Sequence, residues 1–272
     1  MTTCPMTGGD PTAPLESYDV LGIKVSVLTP QKAVDTIIGW AADECGRFVC
    51  IRDVHGIMLA RHDAELARIH DAAAMITPDG MPIALIGKWR GLAVERTCGP
   101  DLMPLLLEAS VQAGVSQYFY GGRDGVAQDL AEKMQARFPG LAVAGAETPP
   151  FRPIDDAELA ELATRINAAG ADVVWVGLST PKQERLMHRL APRVRATLIG
   201  VGAAFDLHSG NMERAPEWTH RLCLEGVYRL FKEPKRLWRR YLVMAPRFVV
   251  LAGWQQVRMS LGVSRPKRAP QA

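Results

Sequence analysis

The sequence is missing most of the signatures from which a function is commonly read. Its six histidines (His55, His62, His70, His188, His208 and His220) show no HExxH or comparable spacing, and no Asp-x-Asp stands ready to hold a divalent cation beside a nucleotide sugar. A metal centre and a metal cofactor are therefore not expected. There is no GxSxG, which excludes the nucleophile elbow of an α/β hydrolase. There is no GKS/T after a glycine loop, which excludes a Walker site. The five cysteines (Cys4, Cys45, Cys50, Cys98, Cys223) include no CxxC pair and are odd in number, so thiols in a reducing, cytosolic compartment are expected. No apolar run reaches the roughly 18–20 residues that span a bilayer. The best candidate, Tyr241–Trp254, is broken by Pro246 and Arg247. Residues 1–17 have neither the basic nor the apolar region of a secretory signal and read as a disordered leader.

What is present is a chain of 272 residues, 48% hydrophobic and 22% charged, enough to bury a substantial core. Its charge is split. Residues 219–272 hold 12 basic residues and two acids, Glu225 and Glu233, whereas the first 218 residues hold 20 basic and 27 acidic ones. The net charge of +3 conceals this seam. In the tail, Arg221, Arg229, Arg236, Arg239 and Arg240 alternate with Leu222, Leu224, Tyr228, Leu230, Phe231, Leu237 and Trp238. An acidic body with a basic amphipathic tail suits a peripheral protein on an anionic membrane surface.

Residues 18–212 alternate between short apolar runs and helical periodicity. Strands are expected at Gly22–Leu28, Phe48–Ile51, Ala74–Thr77, Gln117–Tyr120, Leu141–Ala144, Asp172–Gly177 and Ala196–Val201. Helices are expected at Pro30–Asp43, His55–Ala73, Leu102–Ala113, Gly125–Phe138, Asp155–Ala169 and Pro181–Leu190. This pattern predicts an α/β fold, a Rossmann-like parallel sheet covered by helices on both faces. Residues 213–262 read as a basic helical appendage, with helices over Glu217–Phe231 and Pro234–Leu242, and residues 263–272 as a disordered tail. No internal repeat is found.

Ligands of such sheets bind beyond the carboxyl ends of the strands. The unusual residues fall there. Asp79, in the turn Pro78-Asp79-Gly80, could serve as a general base, although an Asp-Gly turn requires no function. Arg96 precedes a helix that Asp101 could cap, and a guanidinium there suits a diphosphate as well as an ordinary ion pair. Gly121-Gly122 permits close approach of backbone amides to a phosphate. In Gly177–Arg185, Thr180 could cap a helix and Pro181 start it, leaving Lys182, Gln183 and Glu184 for a ligand-facing loop. Gly200–Asp206 has part of a dinucleotide fingerprint but lacks its third glycine and lies on the last strand, which argues against NAD.

Together these segments resemble the WecG/TagA/CpsF glycosyltransferase family. The matching pieces are TPDGMPI (Thr77–Ile83), ERTCGPDLMPLLL (Glu95–Leu107), YFYGG (Tyr118–Gly122), VGLSTPKQE (Val176–Glu184), IGVGAAFDLHSG (Ile199–Gly210), RAPEW (Arg214–Trp218) and EPKRLWRRYL (Glu233–Leu242). The resemblance implies inverting, metal-independent transfer of a sugar from a UDP-sugar to a polyprenyl-diphosphate-linked saccharide at the inner face of the cytoplasmic membrane, for cell-surface polysaccharide. It implies Asp79 as the base, with Arg96 and Gln183 on the substrate or the departing UDP. The candidate substrate-binding set is Asp53, His55, Thr77, Arg96, Gly121, Gly122, Pro181, Lys182, Gln183, Glu184, Gly202 and Asp206. Arg214, Arg221, Arg229, Arg236, Arg239 and Arg240 form a membrane anchor or a lid. One segment departs from the family. Where many relatives carry Thr-x-Asn, this chain reads Cys50–His55, with Asp53 in place of the Asn and no Thr.

Other readings fit parts of the same sequence. A nonenzymatic membrane-surface scaffold explains the tail but not the polar clusters. A nucleic-acid binder is disfavoured by the acidic body and by Leu and Trp among the tail arginines. Homo-oligomerisation is left open.

Overall fold

The computed structural model describes residues 15–150, 152–212, 228, 230–231 and 234–262. Strands β1 (Ser17–Val20) and β2 (Ile23–Ser26) form an antiparallel hairpin. Leu21 and Gly22 both take positive φ in its two-residue turn, the geometry that matches strand twist. The strand expected over Gly22–Leu28 therefore exists but stands outside the main sheet. The hairpin leans on that sheet instead, with Ser26 Oγ accepting from the Ile76 amide at 3.1 Å.

The main sheet contains β3 (Arg47–Arg52), β4 (Met75–Pro78), β5 (Gln117–Gly121), β6 (Val143–Glu147), β7 (Val173–Gly177) and β8 (Thr197–Gly200). Its order is β4-β3-β8-β7-β5-β6 and every pairing is parallel. All six carboxyl ends thus lie along one edge. Side chains alternate across the sheet. Phe48, Cys50, Tyr118, Tyr120, Val174, Val176 and Leu198 join one apolar cluster, while Val49, Ile51, Phe119, Val173, Trp175 and Ile199 join the other. Burial on both faces is why these strands read as continuous apolar runs.

One face is covered by α2 (Val54–His62), α3 (Ala64–Asp71), α4 (Met81–Trp89), α7 (Asp156–Ala168) and α8 (Lys182–Leu190). The other is covered by α1 (Pro30–Ala41), α5 (Gly99–Ala113), α6 (Val126–Arg137) and α9 (Ala204–His208). The helix starts follow local chemistry: Thr29 Oγ1 accepts from the Lys32 amide at 3.2 Å, and Asp155 with Glu158 forms a capping box. Cys50 and Cys98 are buried free thiols, but Cys45 is disulfide-bonded, so the all-thiol expectation fails there. An odd count without CxxC does not forbid a disulfide.

The described part of the tail comprises α10 (Pro234–Trp238), a wide π-type turn (Arg239–Met244) and α11 (Ala245–Ser260). Pro246 interrupts the apolar run without ending the helical segment. It lies in the first turn of α11, where its missing N–H is tolerated. Phe248 and Ala252 are buried in the core beside Ile57 and Met58. Gln255 Oε1 accepts from the Leu21 amide at 3.0 Å, and Arg90 Nε donates to Gln256 Oε1 at 3.1 Å. Residues 234–262 therefore pack on the α/β body. No described helix is long and apolar enough to cross a membrane. The helix expected over Glu217–Phe231 lies mostly outside the described residues.

Candidate active site

Strand β4 delivers Asp79 to the carboxyl edge. The Asp79 amide donates to the Arg52 carbonyl at 2.8 Å, which continues the β3–β4 ladder by one residue. The segment before α5 then runs alongside β4. The Thr97 amide donates to the Pro78 carbonyl at 2.8 Å, and the Thr77 hydroxyl donates to the Thr97 carbonyl at 2.9 Å. Thr77 is fully buried, so its place is to hold this segment down. Arg96 is thereby fixed over the turn. Its Nε donates to the Asp79 carbonyl at 2.8 Å, and its guanidinium lies 4.0 Å from the Asp79 carboxylate. Both side chains keep partial solvent access, 20% for Arg96 and 31% for Asp79. Asp101 is not the cap of α5. Cys98 holds that position and its thiol donates to Asp101 at 2.9 Å, with Asp101 in the first turn.

Strand β3 ends in a feature that sequence reasoning missed. Arg52 is buried, and its guanidinium pairs with Glu184 of α8, which is buried too. Burial disfavours the Arg52 charge, but Glu184, Cys50 and Asp53 outweigh it and hold the guanidinium above its ordinary value. Thr180 does not cap α8. Its hydroxyl donates to Glu184 at 3.2 Å, the Thr180–Pro181 peptide is cis, and Pro181 precedes the first helical residue, Lys182. Glu184 is therefore directed inward and not into an open ligand-facing loop. Gln183 is buried as well, whereas Lys182 is exposed. The one sequence signal for Arg52 is a guanidinium closing the apolar run Phe48–Ile51.

Asp53 caps α2 by accepting from the Gly56 amide at 2.8 Å, and it pairs with Arg240 of the tail. Burial works against the Asp53 carboxylate, yet Arg240, the Gly56 amide and Arg52 hold it below the usual carboxylate range. His55 is pushed below its ordinary value, first by burial and then by Arg240 and Arg52, against the pull of Asp53. Among the other tail arginines, Arg239 stacks over Trp238 at 5.4 Å. Arg214, Arg221, Arg229 and the side chain of Arg236 lie outside the described residues.

The second half of the edge is a glycine seam. A Cβ on Gly121 would lie 2.5 Å from the Gly177 Cα, so β5 and β7 approach here as only glycines allow. Gly122 has φ +77 and its amide donates to the Gly177 carbonyl at 3.0 Å. Gly202 follows β8, and a Cβ there would lie 3.5 Å from Gln183 Oε1. Asp206 sits half-buried in the first turn of α9. The fold thus gathers Asp79, Arg96, Asp53 and His55 at the β3–β4 end, and Gly121, Gly122, Gly202 and Asp206 at the β5–β7–β8 end. Gln183 stands between them. No group of three or more His, Cys, Asp or Glu suited to a metal ion occurs among the described residues.

This arrangement has known relatives. Residues 18–261 match the model of the glycosyl transferase WecG/TagA/CpsF family. An N-acetylglucosaminyldiphosphoundecaprenol N-acetyl-beta-D-mannosaminyltransferase of Bacillus spizizenii is 34% identical over 193 residues, 70% of this chain and 70% of the relative. A protein of the same name from Bacillus subtilis is 31% identical over 184 residues, 66% of this chain and 69% of that one. With the family model spanning nearly all of the α/β body and the described tail, the chain belongs to the WecG/TagA/CpsF family of glycosyl transferases.

Proposed function

We propose that this glycosyltransferase moves a sugar from a UDP-sugar to a saccharide carried on polyprenyl diphosphate, with inversion, at the inner face of the cytoplasmic membrane, in the synthesis of a cell-surface polysaccharide. The observation that carries the reading is the Asp79–Arg96 pair at one mouth of the carboxyl edge, a carboxylate and a guanidinium 4.0 Å apart. Asp79 takes the proton of the acceptor hydroxyl as that oxygen bonds to the anomeric carbon. The bond from that carbon to the diphosphate oxygen breaks, and UDP leaves with the electron pair. Arg96 is suited to the charge that develops on the diphosphate, and the side-chain-free Gly121–Gly122 seam leaves room for it beside the strand ends. In this reading no metal takes part.

Asp53, His55, Gln183, Gly202 and Asp206 line the remainder of the substrate site, with Pro181 and Lys182 at its rim. The tail arginines fold over the site or hold the membrane. The Arg240–Asp53 pair supports a tail that reaches the site. The relatives' names supply the first acceptor to try, N-acetylglucosaminyl diphosphate on a short polyprenyl chain. UDP release is measured with a panel of UDP-sugars, UDP-N-acetylmannosamine included, each with and without that acceptor. Acceptor-dependent release that disappears in Asp79→Asn supports the reading. Release that persists in the variant sinks Asp79 as the base.

A further inference from the structure

We propose that the cleft between α2 and α11 holds the phosphate of a membrane phospholipid, apart from the acceptor that reacts at Asp79. The proposal rests on the membrane-surface reading above. The cleft has a volume of about 430 Å3. Met58, Pro246 and Leu251 supply apolar walls, and Arg61, His62 and Arg247 supply charge and hydrogen-bond donors. Arg61 is half-buried, while His62 and Arg247 are exposed and stand at the rim.

Three features point to an anionic amphiphile. First, Arg61, His62 and Arg247 have no acidic partner among the described residues. The nearest acids in sequence, Asp63 and Glu65, both pair with Arg185, at 2.8 and 3.0 Å. Second, the dipole of α2 favours cations in its last turn, which accounts for Arg61 and His62 but not for Arg247, which comes from α11. Third, the cleft opens onto uncovered apolar surface. Val250, itself in the cleft wall, begins a stripe along α11 with Trp254 and Val257 that continues to Leu261 just past its end, each 51–72% exposed, while Val249 and Met259 are exposed off that stripe. A phosphate between the cations would place its hydrocarbon stem along that stripe, with Trp254 at the headgroup level. Free phosphate or nucleic acid would use the cations and leave the stripe bare.

The test uses the full chain and dihexanoyl phosphatidylglycerol below its micelle concentration, with inorganic phosphate as the comparison. Arg61→Ala/Arg247→Ala is expected to weaken lipid binding about ten-fold or more. Lys235→Ala/Arg258→Ala, which removes the same charge elsewhere on the tail, is expected to change it about two-fold or less, where diffuse electrostatics would weaken both alike. Equal losses in the two variants, phosphate binding as tight as lipid binding, or no lipid binding by the wild type would each overturn the proposal. Transfer to a short-chain soluble acceptor without lipid is expected to be unchanged in Arg61→Ala/Arg247→Ala, and its loss would assign the cleft to the acceptor instead. A wild type that binds the short-chain lipid but no phosphatidylglycerol vesicle would sink the membrane reading and leave the cleft site standing.

Discussion

Arg240 and Asp53 lie 187 residues apart in sequence and form an ion pair in the fold. The same carboxylate caps α2, and the Asp53 backbone abuts Gly80, next to the proposed base. The tail is thus fastened within one loop of Asp79 as well as along α11.

The Asp53 carboxyl is depressed in the folded state, so its contribution is complete above the unfolded value, about pH 4. It is lost as pH falls through the lower folded value. Asp53→Asn keeps a capping oxygen but gives up the charge, and it is expected to cost about 1–2 kcal/mol at pH 7. Urea unfolding of both proteins between pH 7 and pH 3 checks this. The gap should close in acid, and a gap independent of pH would exclude the ion pair as its source.

Asp79→Asn is expected to lower kcat by about a hundred-fold to ten-thousand-fold, the range of a lost general base. Its melting temperature should fall by no more than a few degrees, because the amide bond to Arg52 and the carbonyl bond from Arg96 use Asp79 backbone atoms and survive, while the part-exposed ion pair to Arg96 at 4.0 Å contributes only about 0–1 kcal/mol. A parallel loss of fold and turnover would make the residue structural.

Glu184→Gln leaves the Arg52 guanidinium buried without its counter-ion, and such a change costs about 3–5 kcal/mol. Replacing both, Arg52→Met with Glu184→Leu, is expected to recover much of that stability. Denaturant titration of the wild type, the single variant and the double variant measures the coupling. A double variant as unstable as Glu184→Gln would show that the pair is not a closed unit.

His70 is buried, with Nδ1 donating to the Leu66 carbonyl at 2.5 Å, and burial lowers its pKa to about 4. Its folded state favours the neutral ring. This contribution is present above the unfolded value, about pH 6.5, and is lost as pH falls toward 4. Stability should decline over that window by up to about 3 kcal/mol from this group. His70→Leu should flatten that stretch of the pH profile, as read by thermal melts from pH 7 to pH 4.

Much of this architecture could be read from the sequence because a strand buried on both faces has to be apolar throughout. Runs such as Val173–Gly177 and Thr197–Gly200 leave few alternatives. Asp79 and Gly121 were conspicuous because polar or glycine residues follow such runs at the carboxyl edge. What the sequence hid was partnership at a distance. Nothing local marks Arg52 and Glu184 as one pair across 132 residues, so Glu184 was expected to face a ligand. The Gly22–Leu28 run reads like any strand of the sheet because its alternation is that of any half-buried strand, and its partner β1 is too short and polar to stand out.

The last strand of the sheet sits near its middle. Until β8 is made, β3–β4 and β7–β5–β6 are separate ribbons, each with an open edge, and no earlier strand can join them. Before β8 exists, a chain still emerging from the ribosome has no continuous edge that carries both Asp79 and the Gly121 seam. Unpaired edges of this kind invite wrong pairing. The sheet therefore becomes continuous in one late closing step, when a four-residue strand joins the two ribbons, and the Arg240 contact with Asp53 can form only after it.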